Sequence, residues 1–178
     1  MEPDIYFRED QQFRQPLLWI ILLCVSSFCT GTIAWMVSRQ VVQGIPFGDD
    51  AMSNSQMVLL GGIIVLLNLG FLTFMAVLKL QTEVTAAGLF IRFKPIHRKV
   101  RQIDLDGVAA VTAVQYRPAL EYGGWGIRWT RNGKAYNVSG DLGVRIDYDH
   151  GFHLLIGTCH PDELKQAIDQ CLAARDAA

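Results

Sequence analysis

The segment LLWIILLCVSSFCTGTIAWMV (residues 17–37) contains no charged side chain. As an α-helix it would extend about 31 Å, which matches the hydrocarbon thickness of a bilayer. A second run, MVLLGGIIVLLNLGFLTFMAVL (residues 57–78), is also uncharged. Neither run has the polar face of a soluble amphipathic helix. We therefore predict two transmembrane helices, in which the backbone polar groups are bonded within each segment.

The composition excludes two classes of protein. The chain has 178 residues, of which 51% are hydrophobic and 19% are charged, and its formal net charge is −1. A nucleic-acid-binding protein would carry an excess of basic residues. The four cysteines show no close pairing, which excludes a small scaffold built on disulfides.

The two apolar runs divide the chain into five parts. We predict a cytoplasmic N-terminal tail (1–16), a first transmembrane helix (17–37), an external loop (38–56), a second transmembrane helix (57–78) and a cytoplasmic domain (79–178). The long acidic leader favours a retained anchor over a cleaved signal peptide. Basic residues concentrate after the second run, whereas the connection holds only Arg39, so both termini are expected in the cytoplasm.

Residues 79–178 show short alternating segments separated by turns, which predict about seven antiparallel strands. The dipeptide Asn132-Gly133 between two such segments is a strong hairpin signal. In the first of these segments Trp129 alternates with Ile127, which predicts that Trp129 lies in the core. Pro161, followed by apolar residues at helical spacing, predicts a C-terminal helix that covers the open sheet.

Four short motifs follow one another in this region: GWGIR (124–128), YNVSG (136–140), GV (143–144) and LIGTCHPDEL (155–164). In this order they resemble bacterial membrane-anchored proteins with a pleckstrin-homology-like (PH-like) domain of unknown function. The resemblance implies a half-open barrel of about seven antiparallel strands capped by the C-terminal helix. It also implies an interaction or assembly module in the bacterial cytoplasmic (inner) membrane, and it transfers no catalytic residue.

A group of basic side chains follows the second apolar run directly. Its members within residues 92–101 are Arg92, Lys94, Arg98, Lys99 and Arg101. Near an anionic leaflet each would contribute about 1 kcal/mol. Specific recognition of a lipid headgroup, non-specific electrostatic seating, and charges that only set topology all remain open. PH-like folds often bind phosphoinositides in the first hairpin loop, which here spans residues 86–88 and holds no basic residue.

Two further sets of residues are candidates for contacts. Tyr116, Tyr122 and Trp125 are candidates for a protein interface next to a sheet edge. Asn68 is the only amide side chain in either apolar run, so we expect it to bond across to the other helix or to another chain. The candidate partners within the chain are Ser26, Ser27, Thr30 and Thr32. Simple packing of the helical hairpin and oligomerisation both remain open.

No catalytic motif is present, and the histidines near Cys159 lack the spacing of metal ligands. We therefore predict no enzyme activity, no cofactor and no metal site. The sequence predicts an integral membrane protein whose cytoplasmic domain is an interaction or scaffolding module, with self-association left open. Recognition of anionic lipid by residues 92–101, and a role as accessory or assembly subunit of a larger membrane complex, are the alternatives. The expected partners are membrane lipids and a second copy or another membrane protein, and not nucleic acid.

Overall fold

The computed structural model describes residues 4–46 and 52–176. The chain forms two compact units. The smaller unit is Arg14–Ala76, and the larger unit combines Met1–Phe13 with Val77–Ala178.

The smaller unit contains two helices that are long and apolar enough to cross a membrane. Helix α1 spans Pro16–Val37 and continues as a π-helical segment, Ser38–Val42. Helix α2 spans Asn54–Val77. Among the described residues α1 buries none of its side chains, and Gly61 is the only buried residue of α2. Core helices of soluble proteins instead bury an apolar face.

The connection predicted for residues 38–56 is partly helical. The helix extends beyond Val37 because the backbone continues to form main-chain hydrogen bonds, such as that from the Gln43 N–H to the Ser38 carbonyl (3.1 Å). Helix α2 begins at Asn54, within the predicted connection. Residues 47–51 of this connection lie outside the described residues.

The larger unit is rich in β-structure. Its described strands are β1 (Ile5–Gln12), β2 (Lys79–Thr85), β3 (Gly88–Lys94), β4 (Arg101–Ile103), β5 (Val108–Gln115), β6 (Gly126–Thr130), β7 (Gly133–Asn137), β8 (Leu142–Tyr148) and β9 (His153–Gly157). A short helix, α3 (Pro118–Tyr122), and a longer C-terminal helix, α4 (Pro161–Asp176), complete the unit.

The first sheet has the strand order β1-β2-β3-β4, and all its pairs are antiparallel. Strands β2 and β3 alternate between buried apolar and half-buried polar side chains over most of their length. Leu80, Val84, Ile91 and Phe93 lie on the buried face and form part of the core. The alternating pattern from which the sequence predicts short strands is therefore present here, with most of its apolar side chains buried.

Strand β1 is the main addition to the predicted domain. The sequence predicts a tail for residues 1–16, whereas Ile5–Gln12 pairs with β2 and places Gln12 opposite Lys79. Phe7 and Gln11 are the buried residues of β1, and the charged side chains between them obscure the strand pattern in the sequence. Because Gln12 and Lys79 are neighbours, the chain leaves the larger unit and returns to it at adjacent positions.

The second sheet has the order β5-β8-β9-β7-β6. Strand β9 pairs antiparallel with β8 but parallel with β7, so the expectation of an entirely antiparallel structure was wrong. The parallel pair arises because the hairpin of β8 and β9 inserts β9 beside β7. The two sheets remain separate and do not close into a barrel.

The predicted hairpin of β6 and β7 is confirmed, but its turn is displaced by one residue. Thr130 pairs with Gly133, so the turn residues are Arg131 and Asn132, whereas the sequence predicts Asn132-Gly133. Helix α4 begins at Pro161, as predicted. It buries an apolar stripe and contacts strands of both sheets. The stripe includes Leu164, Ile168 and Cys171.

Candidate functional site

The first sheet brings the predicted basic segment to the end at which α2 joins the larger unit. Lys79 is the second residue after the end of α2, and it lies opposite Lys94 in the strand register. The loop of residues 95–100 follows Lys94 directly and leads into β4. Paired strands are about 4.8 Å apart. The loop therefore starts within one strand spacing of the chain that comes from α2.

The Arg92 side chain bonds to the main chain of this loop instead of extending into solvent. Its guanidinium donates hydrogen bonds to the main-chain carbonyls of His97 (3.4 Å) and Arg98 (3.0 Å). The His97 ring is buried, and its Nδ1 accepts a hydrogen bond from the Phe93 N–H (3.2 Å). Arg92 thus positions the loop, which differs from the lipid contact proposed for it from the sequence.

The outer surface of the loop combines positive charge with exposed apolar side chains. Ile96 and Val100 are 52% and 54% exposed. Arg98 and Lys99 between them are exposed, and neither forms an ion pair within the described ranges of the chain. Such a surface can bind a partner that is both anionic and partly apolar.

The loop packs against strand β7 through buried rings. The His97 ring packs edge-on against Tyr136, with centroids 6.0 Å apart. The Lys134 ammonium lies 4.6 Å from the Tyr136 ring centroid and 4.2 Å from that of Trp129. Trp129 is 69% exposed, so its predicted place in the core was wrong. The Lys134 side chain lies over this ring, which belongs to the edge strand β6.

The surroundings of His97 favour its neutral form. Burial lowers the pKa of His97, and the positive charges of Arg101 and Lys134 lower it further. The hydrogen bond from Phe93 to Nδ1 also requires that this nitrogen carry no proton. The positive charge of the loop therefore comes from its arginine and lysine side chains and not from His97.

A groove with a volume of about 440 Å³ follows the outer face of the first sheet beside the loop. Lys94 and Phe90 line it, together with Arg8 and Glu83, whose charged groups are 3.8 Å apart. Lys94 is half-buried and forms no ion pair among the described residues. The Lys94 charge in this groove therefore adds to the positive charge of the neighbouring loop.

The three aromatic residues predicted for a protein interface differ in exposure. Tyr116 is only 4% exposed and accepts a hydrogen bond from the Asn137 amide (3.0 Å). Burial raises its pKa to about 12. Tyr122 is half-buried and packs edge-on against Tyr116. Trp125 remains exposed at 38%, and its indole N–H donates to the Gly140 carbonyl. Tyr116 is thus a core residue, and Trp125 is the accessible member of the three.

The helical pair brings together two of the three residues predicted for a helix contact. The Ser26 hydroxyl donates a hydrogen bond to the Asn68 side-chain oxygen. Thr30, one turn further along α1, is exposed and takes no part in this bond. Gly61 allows the close approach of the helices, because a Cβ atom there would lie 3.0 Å from the Ile33 side chain.

Sequence reasoning missed the role of Glu9. Its carboxylate accepts hydrogen bonds from the Thr158 hydroxyl (2.5 Å), the Cys159 N–H (3.0 Å) and the Gln11 amide (3.1 Å). These bonds attach β1 to the junction of β9 and α4. A charged residue in an acidic leader gives no sign of such a role, because its partners lie about 150 residues away.

Residues 4–46 and 52–176 contain no group of three or more His, Cys, Asp or Glu side chains that could hold a metal ion. The chain matches no protein-family model, no curated protein and no solved structure. The arrangement of its own residues is therefore the basis for a function.

Proposed function

We propose that this chain is a non-catalytic integral membrane protein whose β-rich domain is an interaction module for the anionic membrane surface. The observation that carries the proposal is the pairing of Lys79 with Lys94. This pairing puts the loop of residues 95–100 beside the chain that comes from α2.

Strand pairing also supports two retained transmembrane helices. Since β1 precedes α1 and pairs with β2, which follows α2, both ends of the apolar segment belong on one side of the membrane. Cleavage of α1 as a signal peptide would remove β1 from the first sheet. The basic residues after α2 favour the cytoplasm for this side.

The order of the strands and the C-terminal helix supports a relation to the PH-like domains that the sequence motifs resemble. The motif residues Gly143 and Gly157 lie where an added Cβ would approach neighbouring strands to 2.7 and 2.8 Å. Their role in close packing is consistent with motifs that specify a fold. On this interpretation the protein belongs in a bacterial cytoplasmic membrane.

The basic and the exposed apolar side chains together provide enough free energy of binding to an anionic leaflet to orient the domain. Each Lys or Arg held at an anionic leaflet contributes about 1 kcal/mol. Arg98, Lys99 and Arg101 together would therefore contribute about 3 kcal/mol, or about a hundredfold in occupancy. Ile96 and Val100 add apolar surface that can enter the headgroup region, and an exposed Trp129 suits the same region.

The test compares full-length protein in nanodiscs of phosphatidylcholine alone and of phosphatidylcholine mixed with anionic phosphatidylglycerol. Hydrogen exchange of the amides of residues 96–101 should be slower by about tenfold or more in the mixed nanodiscs, because docking excludes water from the loop. The double variant Arg98→Glu/Lys99→Glu should lose this protection.

Arg117→Glu/Arg128→Glu is the matched control, since it makes the same change in net charge at exposed positions outside the first sheet, just before α3 and in β6. It should keep the protection of the loop. Added salt should weaken the protection in the unsubstituted protein, because it screens surface charges. Equal exchange in the two kinds of nanodisc would show that the loop does not dock on anionic lipid.

One observation favours a protein partner as a second candidate, with the chain as a scaffold or an accessory subunit of a larger complex. Leu120, Trp125 and Leu142 are 77%, 38% and 39% exposed. The bond from Trp125 to the Gly140 carbonyl holds the indole near the start of β8. If this surface binds a membrane protein, Leu120→Ser/Trp125→Ala should release that protein during mild-detergent purification, whereas Arg98→Glu/Lys99→Glu should retain it.

A further inference from the structure

Strand β5 has a free edge with an unusual composition. Its sequence, VAAVTAVQ (Val108–Gln115), contains no charged residue and no proline. It pairs with β8 on one side, and no strand in the described part of the chain pairs with its other side. Edge strands of soluble domains usually carry charges, prolines or irregularities that prevent pairing with another chain.

The other three edges in the described structure carry such features. Strand β1 holds the charged residues Arg8, Glu9 and Asp10 and an irregular register near Phe7. Strand β4 has only three residues, including Arg101. Strand β6 has five residues and carries Arg128. Strand β5 has one bulge near its start, and from Ala110 to its end its register is regular.

The hydrogen-bond pattern shows which main-chain groups of β5 face outward. The Tyr116 N–H donates to the Asp141 carbonyl, next to the last pair of the β5–β8 ladder. In an antiparallel ladder the direction of these groups alternates along the strand. The main-chain groups of Thr112 and Val114 therefore point toward β8. Those of Val111 and Ala113 point to the free side.

We propose that β5 pairs antiparallel with β5 of a second copy of this chain, across a two-fold axis at Thr112. In this register Val111 of one copy exchanges main-chain hydrogen bonds with Ala113 of the other. Thr112 lies opposite Thr112, a favourable cross-strand pair. The second sheets of the two copies then form one continuous sheet.

Charge explains why the occupant is a second copy. Symmetric pairing brings identical segments together, so a charged strand would oppose itself, whereas β5 carries no charge. At the ends of the strand, Arg117 of one copy comes close to Gly107 of the other. The Asp149 carboxylate lies beside this glycine, whereas Asp106, which precedes it, is paired with Arg175 of its own chain. The flanking charges are therefore opposite in sign.

Cysteine cross-linking of the full-length protein in its membrane tests the register. Thr112 is exposed, and its main-chain groups face β8, so the Cα atoms of the two copies would be about 4.5 Å apart. This distance lies within the range that a disulfide spans. Thr112→Cys should therefore give a covalent dimer on mild oxidation, well above the level of the unsubstituted protein with its native cysteines.

Arg128→Cys is the matched control, because it places a cysteine at an exposed position on the opposite edge of the same sheet. It should cross-link no more than the unsubstituted protein. Equal cross-linking of Thr112→Cys and Arg128→Cys would overturn the proposal, since collisions alone would then account for the dimer.

A second variant tests the main-chain bonds without removing a side-chain contact. Ala113→Pro deletes an N–H that faces the free side, a position at which an edge strand tolerates proline. It should convert a dimer into a monomer by light scattering in mild detergent, whereas Ala113→Ser should remain dimeric. A dimer that persists in folded Ala113→Pro, or a monomeric unsubstituted protein, would also overturn the proposal.

Discussion

The two ends of the first sheet are built from the same strands but differ in chemistry. At the end where α2 joins, Lys79 and Lys94 are paired and a loop with exposed basic and apolar side chains follows. At the opposite end, Ala86 and Ala87 form a short turn between Thr85 and Gly88 and carry no charge. In this sheet the paired lysines therefore lie at the end that is connected to α2, and the opposite turn is uncharged. The first hairpin turn has no basic side chain.

The largest expected effect concerns strand β1, which completes the first sheet. Glu9→Ala would leave the Thr158 hydroxyl and the Cys159 N–H without their acceptor. We expect the free energy of unfolding of the larger unit to fall by about 2 kcal/mol, as measured by thermal denaturation in detergent. Asp10→Ala is the control, because its ion pair with Lys79 lies near the surface and is worth about 0.5 kcal/mol. Equal losses in the two variants would contradict an anchoring role for Glu9.

A smaller effect is expected from releasing the loop. Arg92→Ala removes the donors to the carbonyls of His97 and Arg98, and should lower the stability of the domain by about 1 kcal/mol. Hydrogen exchange of residues 97–99 should become faster even in uncharged nanodiscs. Lys94→Ala changes a neighbouring charge without touching these carbonyls, so it should leave this exchange unchanged. Similar exchange in both variants would show that Arg92 does not hold the loop.

Acid should lower the stability of the larger unit through protonation of His97, which lies at the end of the first sheet connected to α2. The pKa of His97 is lowered by burial and by Arg101 and Lys134, so the unfolded chain binds a proton more readily than the folded one. Stability is therefore complete above the ordinary histidine pKa of about 6.5 and falls as the pH drops below it. His97→Asn keeps a hydrogen-bond acceptor but does not titrate.

Denaturation profiles of the two proteins against pH measure this effect. His153 also has a lowered pKa, from burial and from Arg145, so some dependence on pH remains in the variant. The difference between the profiles isolates His97. Parallel profiles below about pH 6.5 would rule out its contribution.

The smallest effect is expected at the opposite end. Ala86→Lys/Ala87→Lys adds two positive charges to an exposed turn. In the Arg98→Glu/Lys99→Glu background these charges should not restore protection of residues 96–101 in anionic nanodiscs, because they lie at the other end of β2 and β3. Restored protection would show that total charge matters and its position does not.

Much of the fold could be predicted from local pattern. The alternation of β2 and β3, the hairpin of β6 and β7 to within one residue, and the start of α4 at Pro161 follow from such patterns. Each depends on alternation, a turn dipeptide or a capping residue within a short segment. The parallel pair of β7 and β9 could not be predicted in this way, because it depends on which strand inserts beside β7.

The candidate site was predictable in composition but not in the roles of its residues. Arg98 and Lys99 are exposed in the basic segment, whereas Arg92 turns back onto the loop. Trp129 is predicted to lie in the core but is exposed, whereas Tyr116 is predicted to lie at an interface but is buried. An aromatic residue in a strand has the same local pattern in either place, and neighbouring strands decide which face is covered.

The sequence by itself determined the two apolar helices, the alternating strands and the C-terminal amphipathic helix, because burial and hydrogen bonding within a short segment depend on local composition. Only the tertiary structure decided that β1 joins the domain and that the basic loop lies where α2 enters. It also decided that β5 keeps an open edge. These features arise from strand pairs between distant parts of the chain, and such pairs are selected by the packing of the whole domain.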